Sequence, residues 1–172
     1  MSFYNKNQIM DFLPHRKPFL FLDSVDNIVF PSSLSSYDQD IINTKIFIGS
    51  QVEGSFFVDP KLEILRGHFP GQPVLPGVVQ VEIMAQMCPF IFHHAYKELM
   101  SQIKINIALL GIEKAKFKKP IYPGMNLKMV SSLLKVRGIF QSYECTIFCD
   151  EEKMSTAQIF ASIEFLKKDG HE

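Results

Sequence analysis

The sequence predicts an α+β fold in which an antiparallel sheet wraps one long buried helix. Residues 78–100 form a run of helical length that is apolar almost all round, as in a helix enclosed by protein. The C-terminal third alternates with period two instead. Ala157, Ile159, Ala161, Ile163 and Phe165 share one side, and Thr156, Gln158, Ser162 and Glu164 share the other, with Phe160 the exception. Candidate strands also come in runs before and after the helix, a pattern that favours an antiparallel sheet over alternating βαβ units.

In chain order, residues 19–22 and 25–30 look extended, and 31–38, rich in Ser and opened by Pro31, reads as a loop. Residues 45–48 look like a short strand. Pro76 and Gly77 open the helix, since a proline in the first turn lacks only an N–H that has no partner there anyway. Pro89 must kink the helix or end its regular part. His93, His94, Lys97 and Glu98 give it a wetter end, and Glu82 and Gln86, four residues apart, share a face. Residues 115–121 and 127–136 are further candidate strands, the second closing at Arg137-Gly138. Tyr143, Cys145, Ile147 and Cys149 form another alternating row.

The chain has 172 residues, 47% of them hydrophobic, which suits one domain spanning 1–172 with a substantial core. Its 18 basic and 18 acidic side chains balance, so nothing favours bulk attraction to nucleic acid. No run approaches the roughly 18 apolar residues of a membrane span, and the start, Met1 to Lys6, lacks the apolar centre of a signal peptide. Cys88, Cys145 and Cys149 form neither a CxxC pair nor an even disulfide set. The expectation is a cytoplasmic protein without a structural metal.

Chemistry concentrates around the start of the helix. A carboxylate within an apolar helix must find a donor or a function, and burial would raise its pKa; Glu82 is in that position. The preceding segment, 67–77, holds three prolines and three glycines in eleven residues and is therefore stiff. It delivers His68 beside the helix N-terminus. The first-turn N–H groups of Gly77 and Val78 are free to polarise a carbonyl oxygen there. Two readings stand: a structural Glu satisfied by a neighbouring donor, or a His/Glu pair for proton transfer. No GxSxG elbow, P-loop or GxGxxG fingerprint is present. His93 and His94 are adjacent in a helix and point in different directions, a poor arrangement for one metal.

These blocks resemble the FabZ dehydratases. Residues 13–20, LPHRKPFL, look like that family's LPHRxPFL strand. Residues 67–86, GHFPGQPVLPGVVQVEIMAQ, look like its active-site segment. Residues 111–117, GIEKAKF, followed by Pro120 and Pro123-Gly124, are similar to its GIDKxxFxxPVxPGD stretch. The resemblance implies the hot-dog fold, homodimers, commonly three to a hexamer, and no metal or organic cofactor. It implies reversible loss of water from (3R)-3-hydroxyacyl-[acyl carrier protein] to give the trans-2-enoyl product. His68 falls on the family's catalytic His and Glu82 on its catalytic Glu, the two coming from opposite protomers. The related FabA isomerases carry Asp at the acidic position, so Glu82 favours the FabZ side.

In these roles His68 is the base that removes the C2 proton, and Glu82 the acid that protonates the leaving hydroxyl. Gly77 and Val78 hold the enolate-like oxygen. Other readings on the same fold are a thioesterase, a dehydratase that also isomerises, and a non-catalytic acyl-binding subunit, which would be expected to lose His68 or Glu82. Three departures from the family pattern stand out: a longer stretch between Val25 and Phe56, a longer approach at 59–66, and Ala108-Leu109-Leu110 where an aromatic residue often lies. Finally, Lys114, Lys116 and Lys118 alternate, as they would on one strand face. With Lys119 and Arg137 they form either a solvated surface or a docking patch for the acidic carrier protein.

Overall fold

The computed structural model describes residues 2–34, 36–38 and 42–168. Ser35, within the expected 31–38 loop, lies outside them; the rest of that segment is turn and coil. After helix α1 (Lys6–Phe12) come strands β1 (Ser24–Val29) and β2 (Gln51–Phe57) and helices α2 (Glu63–Gly67), α3 (Gly77–Met87) and α4 (Phe90–Ala95). Strands β3 (Ile103–Phe117), β4 (Asn126–Arg137), β5 (Phe140–Cys149) and β6 (Glu152–Lys167) follow. All six strands form one antiparallel sheet in the order β1-β2-β4-β5-β6-β3.

The sheet wraps α3, which touches every strand from β2 to β6. Val79, Val81, Ile83, Met84 and Met87 of the helix are buried. They meet inward rows made by the period-two positions: Val52 and Phe56, Leu127, Met129 and Leu133, Tyr143, Cys145 and Ile147, then Ala157, Ile159, Ala161 and Ile163. Gly54 sits in this layer because a Cβ there would lie 2.6 Å from the Ser24 carbonyl oxygen and 3.0 Å from Met87 Sδ. The three cysteines are free thiols, and burial pushes that of Cys88 well up.

Pro89 divides the long apolar run as expected. Cys88 and Pro89 keep helical dihedrals, so α4 continues α3 after an interruption rather than leaving it. Pro76 is the N-cap rather than a first-turn residue, with extended ψ of 141°, and Gly77 begins the helix.

Several local expectations are corrected. Residues 45–48 are not a strand: Thr44–Phe47 is a 3-10 turn, wound so that Phe47 drops into the core. Its ring meets Phe30, Tyr37, Phe92 and Tyr96 at centroid distances of 5.0–6.1 Å. A short apolar run cannot report whether one anchor or an alternating face is being buried. Residues 13–20 are coil and turn, although Leu13 and Leu20 are buried. The strand expected at 115–121 instead starts at Ile103 and stops at Phe117, ahead of Pro120. The longer approach at 59–66 winds into α2, which ends at Gly67.

β3 occupies the sheet edge beyond β6, and most of its residues are exposed, including Ile107, Leu109, Leu110, Ile112 and Phe117. Pairing with β6 is broken at two places, between Leu109 and Gly111 and between Glu113 and Lys116.

Because Phe47 is wholly buried and fastens the 42–50 segment to α4, Phe47→Ala should destabilise the fold by about 3–5 kcal/mol. Urea unfolding of the two proteins at one pH measures this.

Candidate active site

The 67–77 segment is pinned from both ends. Val74 N–H donates to the His68 carbonyl at 2.8 Å, and Leu75 N–H donates to the Ile121 carbonyl at 2.8 Å. The His68 ring stacks on Phe69 with centroids 4.1 Å apart, and its Nδ1 lies 2.8 Å from the Val74 carbonyl oxygen. A carbonyl oxygen only accepts, so Nδ1 carries the hydrogen. Nε2 is then the unprotonated nitrogen, the form a general base requires.

The first helical bonds of α3 run from Val79 and Gln80 N–H to the Pro76 carbonyl, both at 3.1 Å. The N–H groups of Gly77 and Val78 lie before these bonds and have no carbonyl one turn back to meet. Val78 is 78% exposed. At Gly77 a Cβ would lie 2.8 Å from Phe117 Cζ, so the absence of a side chain lets that ring close over the helix start. His68, Gly77, Gln80, Phe117, Lys118 and Lys119 line one cavity of about 240 Å³.

Glu82 faces elsewhere. Five residues beyond Gly77 on α3, it opens into a second cavity of about 740 Å³. Pro14, His15, Gln86, His93, Ile105 and Leu109 are among the other lining residues. The expectation of a buried carboxylate is corrected: the Glu82 side chain keeps 21% exposure because it faces this cavity rather than the core. Gln86 Nε2 donates to Glu82 Oε1 at 2.8 Å, and His15 Nε2 approaches the same oxygen at 3.4 Å. Gln86 is itself clamped to the 19–21 segment: its Oε1 accepts from Phe21 N–H and its Nε2 also donates to the Phe19 carbonyl. One chain therefore does not bring His68 and Glu82 into a common cavity.

The lysine pattern is corrected as well. Lys114 has a φ of 51° in the bulge between Glu113 and Lys116, so simple alternation fails there. Lys118 lies past the strand end, and Lys119 is ion-paired with Glu152. Arg137 pairs with Phe140, which pairs with Ser162, itself opposite Ala108. That places it roughly six ladder steps along β6, about 20 Å, from the level of Lys116 within one chain.

Residue type alone does not mark His15 or Gln86 as functional: in the sequence His15 is one position of the LPHRKPFL block and Gln86 a polar neighbour of Glu82. A contact between a residue near the N-terminus and the middle helix has no local sequence signature.

A single sheet wrapped round one helix, with a proline-rich loop holding an imidazole at the helix start, defines a hot-dog enzyme. The solved structures agree. The dehydratase heterocomplex ApeI:P from Xenorhabdus doucetiae superposes with a TM-score of 0.67 at 20% identity, covering 91% of this chain and 90% of the other. The fluoroacetyl-CoA thioesterase FlK does so with a TM-score of 0.53 at 15% identity, covering 68% and 87%. These likenesses establish the fold.

The family is settled by sequence. The ApeI-like family, described as ApeI dehydratase, matches residues 46–158. The 3-hydroxyacyl-[acyl-carrier-protein] dehydratase FabZ of Thiobacillus denitrificans is 32% identical over 157 residues, covering 91% of this chain and 94% of the relative. FabZ of Ehrlichia ruminantium is 33% identical over 165 residues, covering 93% and 97%. The chain belongs to the hot-dog dehydratases of the FabZ and ApeI-like type, and is a hydro-lyase.

His93 provides a pH-dependent term beside the Glu82 cavity. It stacks on Phe12 at 4.1 Å, and burial, with the His94 charge second, lowers its pKa to about 4. The unfolded chain binds that proton first as pH drops below about 6.5. Stability from the neutral ring is thus complete above that pH and declines toward about 4. His93→Phe should flatten part of the loss between these values, as read from urea midpoints across the interval. An unchanged acid limb would remove His93 from this role.

Proposed function

We propose that the protein catalyses the reversible dehydration of (3R)-3-hydroxyacyl-[acyl carrier protein] to the trans-2-enoyl thioester in fatty acid or related lipid synthesis, at a site shared between two protomers. The observation that carries the shared site is that His68 and Glu82 line separate cavities of one chain. The exposed apolar edge strand β3 supports a homodimer. Its unpaired N–H and C=O groups and its row of Ile107, Leu109 and Ile112 invite antiparallel pairing with a second copy. Further association to a trimer of dimers fits the same reading. The carrier-bound substrate would be met in the cytoplasm; no helix among the described residues is long and apolar enough to cross a membrane.

His68 Nε2 takes the C2 proton, which the thioester carbonyl acidifies. The electron pair forms the C2–C3 double bond as the C3–O bond breaks. Glu82 of the partner gives its proton to the departing hydroxyl, so water leaves, and the carboxylate and imidazolium then exchange the proton with solvent. The Gly77 and Val78 N–H groups hold the thioester oxygen as charge develops on it. These steps use protein groups alone. The acyl carrier protein would dock at Lys114, Lys116, Lys118 and Lys119. The support is that Lys118 and Lys119 line the cavity that holds His68. Arg137 joins such a patch only from a more distant position.

His68→Ala and Glu82→Gln should each lower turnover by about a hundredfold or more while melting normally. Coexpressed His68→Ala and Glu82→Ala chains, mixing at random in equal amounts, should regain about a quarter of wild-type sites, because a mixed dimer has one site with both lesions and one with neither. Mixed dimers no more active than the single variants would refute the shared site. Release of free acid and thiol, in place of enoyl thioester, would favour a thioesterase.

The docking surface predicts a kinetic signature. Rising salt should reduce kcat/KM for carrier-protein substrates more than for a small thioester analogue, mainly through association. Equal salt sensitivity would remove the patch.

A further inference from the structure

The carboxyl group of Glu82 is held unevenly. Its Oε1 receives the Gln86 amide at 2.8 Å and faces His15 Nε2 at 3.4 Å. Among the described residues no hydrogen bond reaches Oε2. Gln86 is a fixed donor because its own oxygen is committed to Phe21 N–H. His15 is held by its neighbours too: its ring lies nearly parallel to Phe19, with centroids 6.3 Å apart.

The tautomer follows from the partner. Oε1 accepts whether or not Oε2 carries a proton, so Nε2 of His15 carries the hydrogen that faces it, and Nδ1 keeps the lone pair. That Nδ1 is buried and meets no hydrogen-bond partner, which leaves the Glu82 contact as the polar interaction of this ring. A separation of 3.4 Å is long for a resting hydrogen bond, but such bonds often tighten when substrate completes the site.

The Gln86 donor and the His15 Nε2 beside it have a chemical consequence. They stabilise negative charge on Oε1 and occupy its lone pairs, so a proton taken up by the carboxyl group goes to Oε2. They also restrain the rotation of the group, which leaves Oε2, without a hydrogen-bond partner among the described residues, for the leaving group. A general acid needs both properties, since the proton must be on the oxygen that meets the leaving group.

We propose that His15 is a positioning residue for dehydration: with Gln86 it holds Oε1 of Glu82 and leaves Oε2 as the oxygen that delivers the proton. The assignment rests on the reading of Glu82 as the acid. His15 acts through Glu82, whose Oε1 its Nε2 faces.

The test uses the enzyme and four substitutions. His15→Phe retains a ring against Phe19 and removes the donor, whereas His15→Gln retains a donor without the ring. His15→Phe should lower kcat about tenfold or more with little change in KM, because the acid is misaligned while the substrate is still held. His15→Gln should recover a substantial part of that loss. In a Glu82→Gln background, His15→Phe should cost little further, since there is no acid left to position.

Wild-type kcat in His15→Phe would overturn the proposal. So would equal losses in His15→Phe and His15→Gln, which would mark a steric role, or a full further loss in the Glu82→Gln background. Melting curves establish that each variant is folded; if His15→Phe fails to fold, wild-type kcat in folded His15→Ala has the same overturning force. Near-normal turnover in Glu82→Gln alone is a different failure, that of Glu82 as the acid.

Discussion

A helix that is apolar on nearly every side cannot rest on a protein surface, and α3 is such a helix. One antiparallel sheet solves the problem by wrapping it, with five strands contributing to its surroundings. Burying Ile83, Met84 and Met87 completely requires inward side chains from β2, β4, β5 and β6 at matching levels. The close approach at Gly54 follows from the same requirement. The wrap ends in β3, whose outer edge has no further strand beside it among the described residues.

The enclosed helix also organises the chemistry. Its start emerges from the wrap, where first-turn N–H groups and the pinned His68 loop come together. Its next turns carry Glu82 to a different side, toward His15 and the 103–109 part of β3. A helix turns about 100° per residue, so groups five residues apart, such as Gly77 and Glu82, face substantially different directions. His68 and Glu82 thereby lie on separate surfaces of one chain, and under the proposed mechanism they meet across a second copy. Two neutral-looking contacts prepare them. The Val74 carbonyl selects the tautomer of His68, and Gln86 orders the Glu82 carboxyl group.

Charge plays a narrower part. The balance of basic and acidic residues leaves no overall field, and the lysines around 114–119 are a local feature shaped by a bulge and a strand end. The bulge matters because one extra residue reverses the side to which the following side chains point. Lysines that alternate in sequence thus spread over an irregular ridge, and the adjacent Lys119 is tied to Glu152.

By itself the sequence determined the α+β class, the buried helix and its break at Pro89, the alternating rows of β5 and β6, the existence of β4, and the family-specific segment containing His68 and Glu82. These are local or periodic signals: a run apolar all round, a proline without an N–H, a period of two, an uninterrupted motif. Only the tertiary structure decided that 44–47 coils to insert Phe47, that β3 extends back to Ile103 along an open edge, and that Glu82 faces a cavity instead of the core. It alone joined His15 to Glu82 across 67 positions of chain and separated His68 from Glu82 into two cavities. The physical reason is that such facts depend on which surface a residue meets, and that surface is assembled from distant strands and loops whose register no single segment encodes.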